Sequence, residues 1–473
     1  MPSSNPCSLS RRFGLILSSF LQHEGLPFAD VLDEKQIDEA FAQESVSFGE
    51  EEDAIYTSSV TLWAFLSQAL HKGEHRSCTA AVARVAVMLM VLGRPSCSTN
   101  TGAYCRARHK LPETVLRRLT LQVADGSEKQ LPQGWLWHGR HVKLVDGTTV
   151  SMPDTPENQA EFPQQESQKE GLGFPLARMV VLLSLATAMV CGMEMGPYQG
   201  KETGESALLR QLLEQLNAGD ILLADKYYCS YFMIALLAER NVDFVVRLHQ
   251  RRTANFRHGK RLGAKDHLVC WQRPVKPDWM DQQTYERMPE SIEVRQLEVH
   301  VDQPGFRTES FVVVTTLTDA QKYSTQDLAK LYRERWLAEL DIRAIKITTD
   351  IDVLRCKTPA MVRREIQTAL LAYNLVRQKI LQTASGTRLL PRQLSFTAAM
   401  QTIVASWTTV LAVNNATLMT LSEALLRSLA GHEVGNRPDR TEPRAIKRRP
   451  KSQKLLTKPR NQARAELLGQ AAS

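Results

Sequence analysis

Short apolar runs alternate with helix-type segments in the middle of the chain, and this alternation limits the fold more than any other feature. Residues 141–150, 221–224 and 244–248 have the apolar character of buried strands, whereas 205–216 and 231–239 have helical spacing. Strands that alternate with helices in this way are typical of α/β proteins. The sequence therefore predicts an α/β core in this region.

Two aspartates stand beside these predicted strands. Asp146 follows the apolar run 142–145, and Asp225 follows 221–224. A carboxylate at such a position lies at an edge of the sheet, where α/β folds build their sites. Taken singly, each aspartate is more typical of a turn or a helix cap. Their interpretation therefore depends on a third feature.

That feature is a long helix predicted from residue 324 to about 347, with Ser324 at the N-cap and Asp327 at the capping-box position. At about 100° per residue, four polar side chains fall within an arc of ~60° on this helix. They are Tyr332, Arg335, Glu339 and Lys346. An exposed helix with a surface ion pair worth about 0.3–0.5 kcal/mol is the simpler interpretation. Together with the two aspartates, this mixture of charges favours a site for metal ions and phosphates.

Helical spacing dominates the first 125 residues. Near the end of this region, two short predicted helices around a basic connection resemble a DNA-binding element. Its candidate DNA contacts are Arg106, Arg108 and Lys110. A surface helix in a helical bundle is an equally good interpretation. Further along, β-type alternation over 269–314 predicts a β-rich insertion.

The balance of charge favours an anionic partner. The 473 residues include 59 Lys and Arg against 51 Asp and Glu, a formal net charge of +8. The excess lies between Arg437 and Arg464, and the rest of the chain is close to neutral. Basic tails of this kind either contact nucleic acid or are simply solvated.

Cysteine spacing and hydropathy indicate the compartment. The eight cysteines are scattered without a Cys-x-x-Cys pair, which argues against a zinc ribbon and against a dense disulfide framework. A reducing cytoplasm fits best. The longest nearly apolar run, 179–193, is shorter than the ~20 residues needed to span a bilayer. We therefore expect neither a signal peptide nor a membrane partner.

Three motifs resemble the insertion-sequence-four family of DDE transposases. They are Asp-Gly-Thr at 146–148, Asp-Lys-Tyr-Tyr at 225–228, and the Tyr-Arg-Glu-Lys signature of 332–346. The resemblance covers the chain from about residue 85 to 465. One departure is small, because Lys226 stands where many relatives carry Arg and keeps the charge.

The resemblance implies an α/β fold with an RNase H-like catalytic core and a β-rich insertion, flanked by helical N-terminal and C-terminal regions. In chain order, the implied units are a helical DNA-binding region (1–125), the first part of the core (126–249), the insertion (250–315), the second part of the core with the signature helix (316–385), and a helical C-terminal region with the basic tail (386–473).

The resemblance also implies the chemistry of cut-and-paste transposition at terminal inverted repeats. Asp146, Asp225 and Glu339 would be the catalytic residues and would hold two Mg²⁺ or Mn²⁺ ions ~3.5–4 Å apart. Oxygen ligands suit these hard ions. The residues implied to grip the DNA end are Tyr332, Arg335 and Lys346.

Further implications concern partners and the insertion. Double-stranded DNA, as transposon ends and as target, would be the partner of a protein that is a homodimer when bound to DNA and is associated with the bacterial nucleoid. Trp271 or Trp279 would receive a flipped base, although packing of the insertion is the simpler role for either one. Two alternatives remain: an RNase H-like nuclease that cuts without joining, and a non-catalytic DNA-binding relative.

Overall fold

The computed structural model describes most of the chain. The described residues are 34–49, 51, 54–91, 95–301, 309–352, 354–406, 415–434 and 456–468. The start of the predicted N-terminal region and most of the basic tail therefore lie outside the described residues.

A nine-stranded mixed sheet is the central layer. Its strands, in chain order, are β1 (Val142–Ser151), β2 (Leu176–Ser184), β3 (Val190–Pro197), β4 (Ile221–Ala224), β5 (Asp243–Arg247), β6 (Lys260–Gly263), β7 (Asp266–Gln272), β8 (Ser291–Val301) and β9 (Glu309–Thr315). Their order across the sheet is β3-β2-β1-β4-β5-β9-β8-β7-β6.

The first five strands lie within residues 126–249, the first part of the predicted core. β1, β4 and β5 run parallel, whereas β2 and β3 pair in antiparallel fashion on the other side of β1. All four residues of β4 are buried, which explains why its sequence is a continuous apolar run. The predicted α/β class is confirmed.

The last four strands extend this core. β5 pairs antiparallel with β9, where Val246 lies opposite Val314, and β8, β7 and β6 follow by antiparallel pairing. Arg295 of β8 forms a buried two-point ion pair with Asp266 of β7, with Nε–Oδ1 at 2.8 Å and Nη2–Oδ2 at 2.5 Å. The β-type alternation was predicted correctly, and these strands continue the core sheet. The boundaries of the five implied units stay predictions.

Helices flank the sheet. Before it come α1 (Glu34–Gln43), α2 (Ser58–Leu70), α3 (Cys78–Val91), α4 (Gly102–Lys110) and α5 (Glu113–Glu128). Within and after it come α6 (Pro156–Glu161), α7 (Glu205–Gln211), α8 (Tyr231–Glu239), α9 (Gln282–Arg287), α10 (Thr325–Arg333), α11 (Trp336–Arg343), α12 (Pro359–Ser385), α13 (Phe396–Ser406), α14 (Asn415–Ala430) and α15 (Arg460–Leu467).

The long helix α12 connects the N-terminal helices to the sheet. It packs against α5 and α2, and its side chains are buried along almost its whole length. Asn374 on α12 donates to the carbonyl oxygens of Thr120 (3.0 Å) and Val190 (2.9 Å), and its Oδ1 accepts from the Val190 amide at 2.8 Å. One buried amide side chain therefore joins α12 to α5 and to β3.

The predicted helix from residue 324 to about 347 begins as expected. Ser324 is the N-cap, and its hydroxyl oxygen accepts from the Asp327 amide at 3.1 Å. The prediction of one regular helix is wrong, however. The chain forms α10, then α11, then a π-helical turn at Ala344–Thr348.

The break between α10 and α11 has a local cause in the hydrogen bonding. The Leu337 amide donates to the Glu334 carbonyl at 2.9 Å, and the Ala338 amide donates to the Arg335 carbonyl at 3.0 Å. These bonds span three residues and tighten the chain, whereas the later π turn widens it. A calculation with a uniform 100° per residue therefore misplaces side chains beyond either irregularity.

The apolar run 179–193 forms most of the β2–β3 hairpin. None of the helices that the structure describes combines the length and apolar character needed to cross a bilayer.

Candidate active site at the edge of the sheet

Strand register brings the two aspartates level with each other. In the parallel pairing of β1 with β4, Val142 lies opposite Ile221 and Leu144 opposite Leu223. Asp146 and Asp225 each come two residues later, so they occupy matching positions on neighbouring strands. β1 continues to its end against β2, so Asp146 lies within β1, just beyond the end of β4.

Each aspartate is fixed by its own backbone. One carboxylate oxygen of Asp146 accepts from the Gly147 amide at 2.9 Å. Asp225 caps the short 3₁₀ turn Lys226–Tyr228, where its Oδ1 accepts from the Lys226 amide at 2.5 Å. These local bonds set the orientation of both carboxylates before any ligand is present.

The environment of Asp146 disfavours its charged form. Burial is the main cause and raises the pKa of Asp146 to about 6, and the negative charges of Glu205 and Glu339 act in the same direction. The Gly147 amide and the Arg335 guanidinium oppose this effect. A carboxylate in this environment gains from a nearby cation.

Arg335 lies between Glu339 and one of the two aspartates, Asp146. On α11, Arg335 Nη2 donates to Glu339 Oε1 at 2.8 Å, and Arg335 Nη1 lies 3.9 Å from Asp146 Oδ2. The guanidinium therefore lies between the helix carboxylate and the strand carboxylate. The predicted pairing of Arg335 with Glu339 is present, and it includes Asp146.

Tyr332 lies at the end of α10 and is 6% exposed. Its ring packs against Phe311 at a centroid distance of 5.2 Å. Burial and the neighbouring Asp225 carboxylate raise the pKa of the Tyr332 hydroxyl, against the effect of Arg335. Tyr332 is therefore a neutral phenol on the Asp225 side of the site.

Lys346 lies in the π-helical turn. Its ammonium group donates to the Thr149 carbonyl at 2.9 Å and lies 2.7 Å from Asp352 Oδ1. Thr149 is three residues after Asp146 on β1. Lys346 therefore contacts the strand that carries Asp146, and its two contacts do not involve the Arg335–Glu339 pair.

A fourth carboxylate belongs to this region, and the sequence reasoning missed it. Glu205 begins α7, and its Oε2 accepts a hydrogen bond from the Tyr228 hydroxyl at 3.3 Å. Its carboxylate also packs against the Cα of Gly147, in the space that a Cβ atom would occupy. In the sequence, only the glycine at position 147 indicated that another side chain packs closely beside Asp146.

The donor chemistry of the site fits a divalent ion. Asp146, Asp225 and Glu339 are carboxylates, and such oxygen ligands suit Mg²⁺ or Mn²⁺. In the part of the chain that the structure describes, no three ligand side chains are spaced to close around one ion. Glu339 Oε1 lies 2.8 Å from Arg335 Nη2.

Comparison with known proteins identifies the family. The family described as Transposase DDE domain matches residues 137–375, about half of the chain. The chain belongs to this family. The match includes all three predicted carboxylates, and the chain is an insertion-sequence DNA transposase of a family that acts on DNA and generally uses divalent metals.

A curated transposase is similar to most of the chain and agrees with this assignment. Over 405 residues the transposase is 28% identical to the Escherichia coli (strain K12) transposase InsG of insertion sequence element IS4, covering 82% of this chain and 85% of InsG. The predicted insertion-sequence-four resemblance is confirmed. A cryo-EM structure of the piggyBac transposase synaptic complex with hairpin DNA superposes with a TM-score of 0.41 and 10% identity, covering 89% of this chain and 87% of that chain.

The three basic candidates in the N-terminal region of the transposase do not share one surface. Arg106 and Lys110 are exposed. Arg108 is turned inward, where its guanidinium lies 4.9 Å from the Phe65 ring centre and donates to Gln68 Oε1 at 3.2 Å. DNA contact by Arg106 and Lys110 stays a prediction, and the burial of Arg108 counts against a direct contact there.

The two tryptophans of the insertion differ in exposure. Trp271 on β7 is 7% exposed and lies under the Arg252 guanidinium at 4.0 Å. Trp279 is half-buried, with the Arg210 guanidinium of α7 3.8 Å from its ring centre. Both are packed in the fold, as the simpler interpretation predicted. Whether either receives a flipped base stays a prediction.

Proposed function

We propose that this transposase cuts the DNA strands at the ends of its own insertion element and joins them to target DNA. The catalytic residues are Asp146, Asp225 and Glu339. The observation that carries this proposal is the matched register of the two aspartates, with Glu339 held near Asp146 by Arg335.

Two Mg²⁺ or Mn²⁺ ions bound by these carboxylates would activate the attacking oxygen and stabilise the leaving oxygen of an in-line phosphoryl transfer. The protein supplies a partly buried cluster of carboxylates for them. Asp146 and Asp225 are oriented in advance by their backbone hydrogen bonds. Glu339 is 40% exposed, which leaves its side chain room to turn from Arg335 toward Asp146.

The signature cations bind the DNA phosphates. A guanidinium presents a planar fork that matches either a carboxylate or a phosphate. When Glu339 leaves Arg335, that fork becomes available to a phosphate next to the cleaved bond. Lys346 adds a second positive charge along β1, and the buried Tyr332 hydroxyl orients the strand on the Asp225 side.

Double-stranded DNA is the partner, and the protein acts as a homodimer that bridges two element ends on nucleoid DNA in the bacterial cytoplasm. The basic segment between Arg437 and Arg464 supports contact with the phosphate backbone. The exposed Arg106 and Lys110 support a second contact. Trp279 is the better candidate for a flipped base, because it is more exposed than Trp271.

The decisive experiment uses a labelled DNA fragment that carries the element's own ends, incubated with the purified protein and Mg²⁺, Mn²⁺, Ca²⁺ or EDTA. We expect cleavage at the ends and joining to a target plasmid with Mg²⁺ or Mn²⁺, and neither product with EDTA. Cleavage without joining would identify a nuclease. Binding of the ends without cleavage under any metal would identify a non-catalytic DNA-binding protein.

A further inference from the structure

The first turn of α7 contacts both aspartate motifs of the transposase. From this turn, Glu205 accepts a hydrogen bond from the Tyr228 hydroxyl at 3.3 Å, and the Ser206 hydroxyl donates to the Tyr227 carbonyl at 3.2 Å. Tyr227 and Tyr228 belong to the 3₁₀ turn that Asp225 caps. The same helix turn is therefore tied twice to the segment that follows Asp225.

Glu205 also lies against the other aspartate motif, at Gly147. A Cβ atom on residue 147 would lie 2.4 Å from Cδ, 2.5 Å from Oε1 and 2.8 Å from Cγ of Glu205. Gly147 does not have the positive φ that favours glycine, so its backbone conformation is open to other residues. A larger residue at this position would force the end of the Glu205 side chain to move from its place.

Tyr228 connects Glu205 to the Asp225 motif. It is 1% exposed, and its position in the 3₁₀ turn links it through the backbone to Asp225. The Glu205 side chain therefore contacts Gly147 on β1 and Tyr228 in the 3₁₀ turn that follows β4. Its placement fixes the distance between the residues next to Asp146 and those next to Asp225.

We propose that Glu205 is a positioning residue of the active site, which holds the Asp146 and Asp225 motifs together through Gly147 and Tyr228. This inference rests on the proposed function, because its effect is measured on DNA cleavage. Glu205 acts on the reaction through the spacing of the two aspartates. A misplacement of about 1 Å in such a centre costs up to roughly 100-fold in rate.

The test is a double-mutant cycle with Glu205→Ala, Gly147→Ala and the combined variant. Cleavage rate, affinity for the element ends and melting temperature are measured for each. Glu205→Ala is expected to slow cleavage by about 10- to 100-fold with unchanged end binding. Gly147→Ala is expected to slow cleavage similarly and also to lower the melting temperature, because the new methyl group collides with Glu205.

The combined variant separates positioning from folding. Without the Glu205 side chain, the methyl group at residue 147 has space, so the melting temperature should recover toward that of Glu205→Ala. Cleavage should stay as slow as in Glu205→Ala alone. Strictly additive losses in both properties would overturn the proposal, because they would mean that the two residues act independently.

Two further variants complete the experiment. Glu205→Gln keeps an acceptor for the Tyr228 hydroxyl and the packing on Gly147, so it should cleave within about threefold of the wild type. Glu214→Gln changes an exposed carboxylate beyond α7 and is the matched control. Wild-type cleavage by Glu205→Ala, or a Glu205→Gln variant as slow as Glu205→Ala, would contradict a positioning role. A wild type that does not cleave would count against the proposed function, and the melting temperatures would still test the contact between Glu205 and Gly147.

Discussion

The two halves of the candidate site are built in different ways. The sheet half consists of Asp146 and Asp225, which are fixed by strand register and by bonds to their own backbone. The helical half consists of Tyr332, Arg335, Glu339 and Lys346, which lie on α10, α11 and the π-helical turn. In the sheet half the Asp146 side chain is 20% exposed, whereas Glu339 in the helical half is 40% exposed.

The sheet half is also braced from the side of α5. Lys143 on β1 donates to Glu128 Oε2 at 2.7 Å, and His141 Nδ1 lies 2.9 Å from the same oxygen. Both Glu128 and Lys143 are buried. The helical half has an ion pair with a buried carboxylate too, where Asp341 Oδ2 on α11 lies 2.8 Å from Arg392 Nη2. The two halves differ in what holds their carboxylates, because backbone amides orient the two aspartates, whereas a guanidinium side chain holds the helix carboxylate.

The largest expected effect is on cleavage when any one carboxylate is neutralised. Asp146→Asn, Asp225→Asn and Glu339→Gln should each slow cleavage by about 10³-fold or more, because each removes a group that acts in the reaction itself. End binding, measured by gel shift, should stay close to that of the wild type. Comparable cleavage by Glu339→Gln would remove Glu339 from the site and leave the sheet half alone.

The next effect tests the brace of the sheet half. Glu128→Ala leaves Lys143 buried without its carboxylate and should lower the free energy of unfolding by about 3–5 kcal/mol. Chemical denaturation measures this loss. The matched control replaces both residues, Glu128→Leu with Lys143→Met, and should be far less destabilised. An equally unstable double variant would show that the ion pair itself is not the cause.

The same brace predicts a pH dependence. Burial opposes the charge of Glu128, but Lys143 and the hydrogen bonds from His141 and Lys143 outweigh it and lower the pKa of Glu128 to about 2. The stabilisation is therefore complete above the unfolded value of 4.5 and is lost as the pH falls toward 2. The difference in unfolding free energy between wild type and Glu128→Gln should be constant above about pH 5 and should narrow as the pH falls to about 3.

A smaller effect is expected in the helical half. Arg335→Lys keeps the charge but not the fork that reaches Asp146 and Glu339 together, so cleavage should fall by about 10- to 100-fold. The melting temperature should change little. Arg333→Lys, an exposed residue of α10, is the control. Full activity of Arg335→Lys would mean that the site needs only a positive charge at this position and does not need the planar guanidinium.

The smallest effect is expected for Lys346. Lys346→Met should weaken binding of the element ends and reduce the slope of log affinity against log salt by about one, as expected for one phosphate contact. Lys330→Met, an exposed lysine of α10, should leave both unchanged. A normal salt slope with a lower melting temperature would show that Lys346 only ties the π-helical turn to β1.

The local patterns of the sequence predicted much of this molecule. The continuous apolar run 221–224 predicted β4, because a strand that is buried on both faces needs apolar side chains throughout. Ser324 predicted the start of α10, because a hydroxyl at the N-cap binds a free amide of the first turn. The three motifs predicted the family. These features depend on neighbours within a few residues along the chain.

The tertiary structure decided what those patterns do not contain. The contact of Glu205 with Gly147 and Tyr228 joins three separate elements, and no spacing along the chain predicts it. The same holds for the inward turn of Arg108 and for the pairing of β9 with β5 that extends the core sheet. Apolar periodicity specifies which face of an element is buried, but packing and strand register determine which distant side chain lies opposite it.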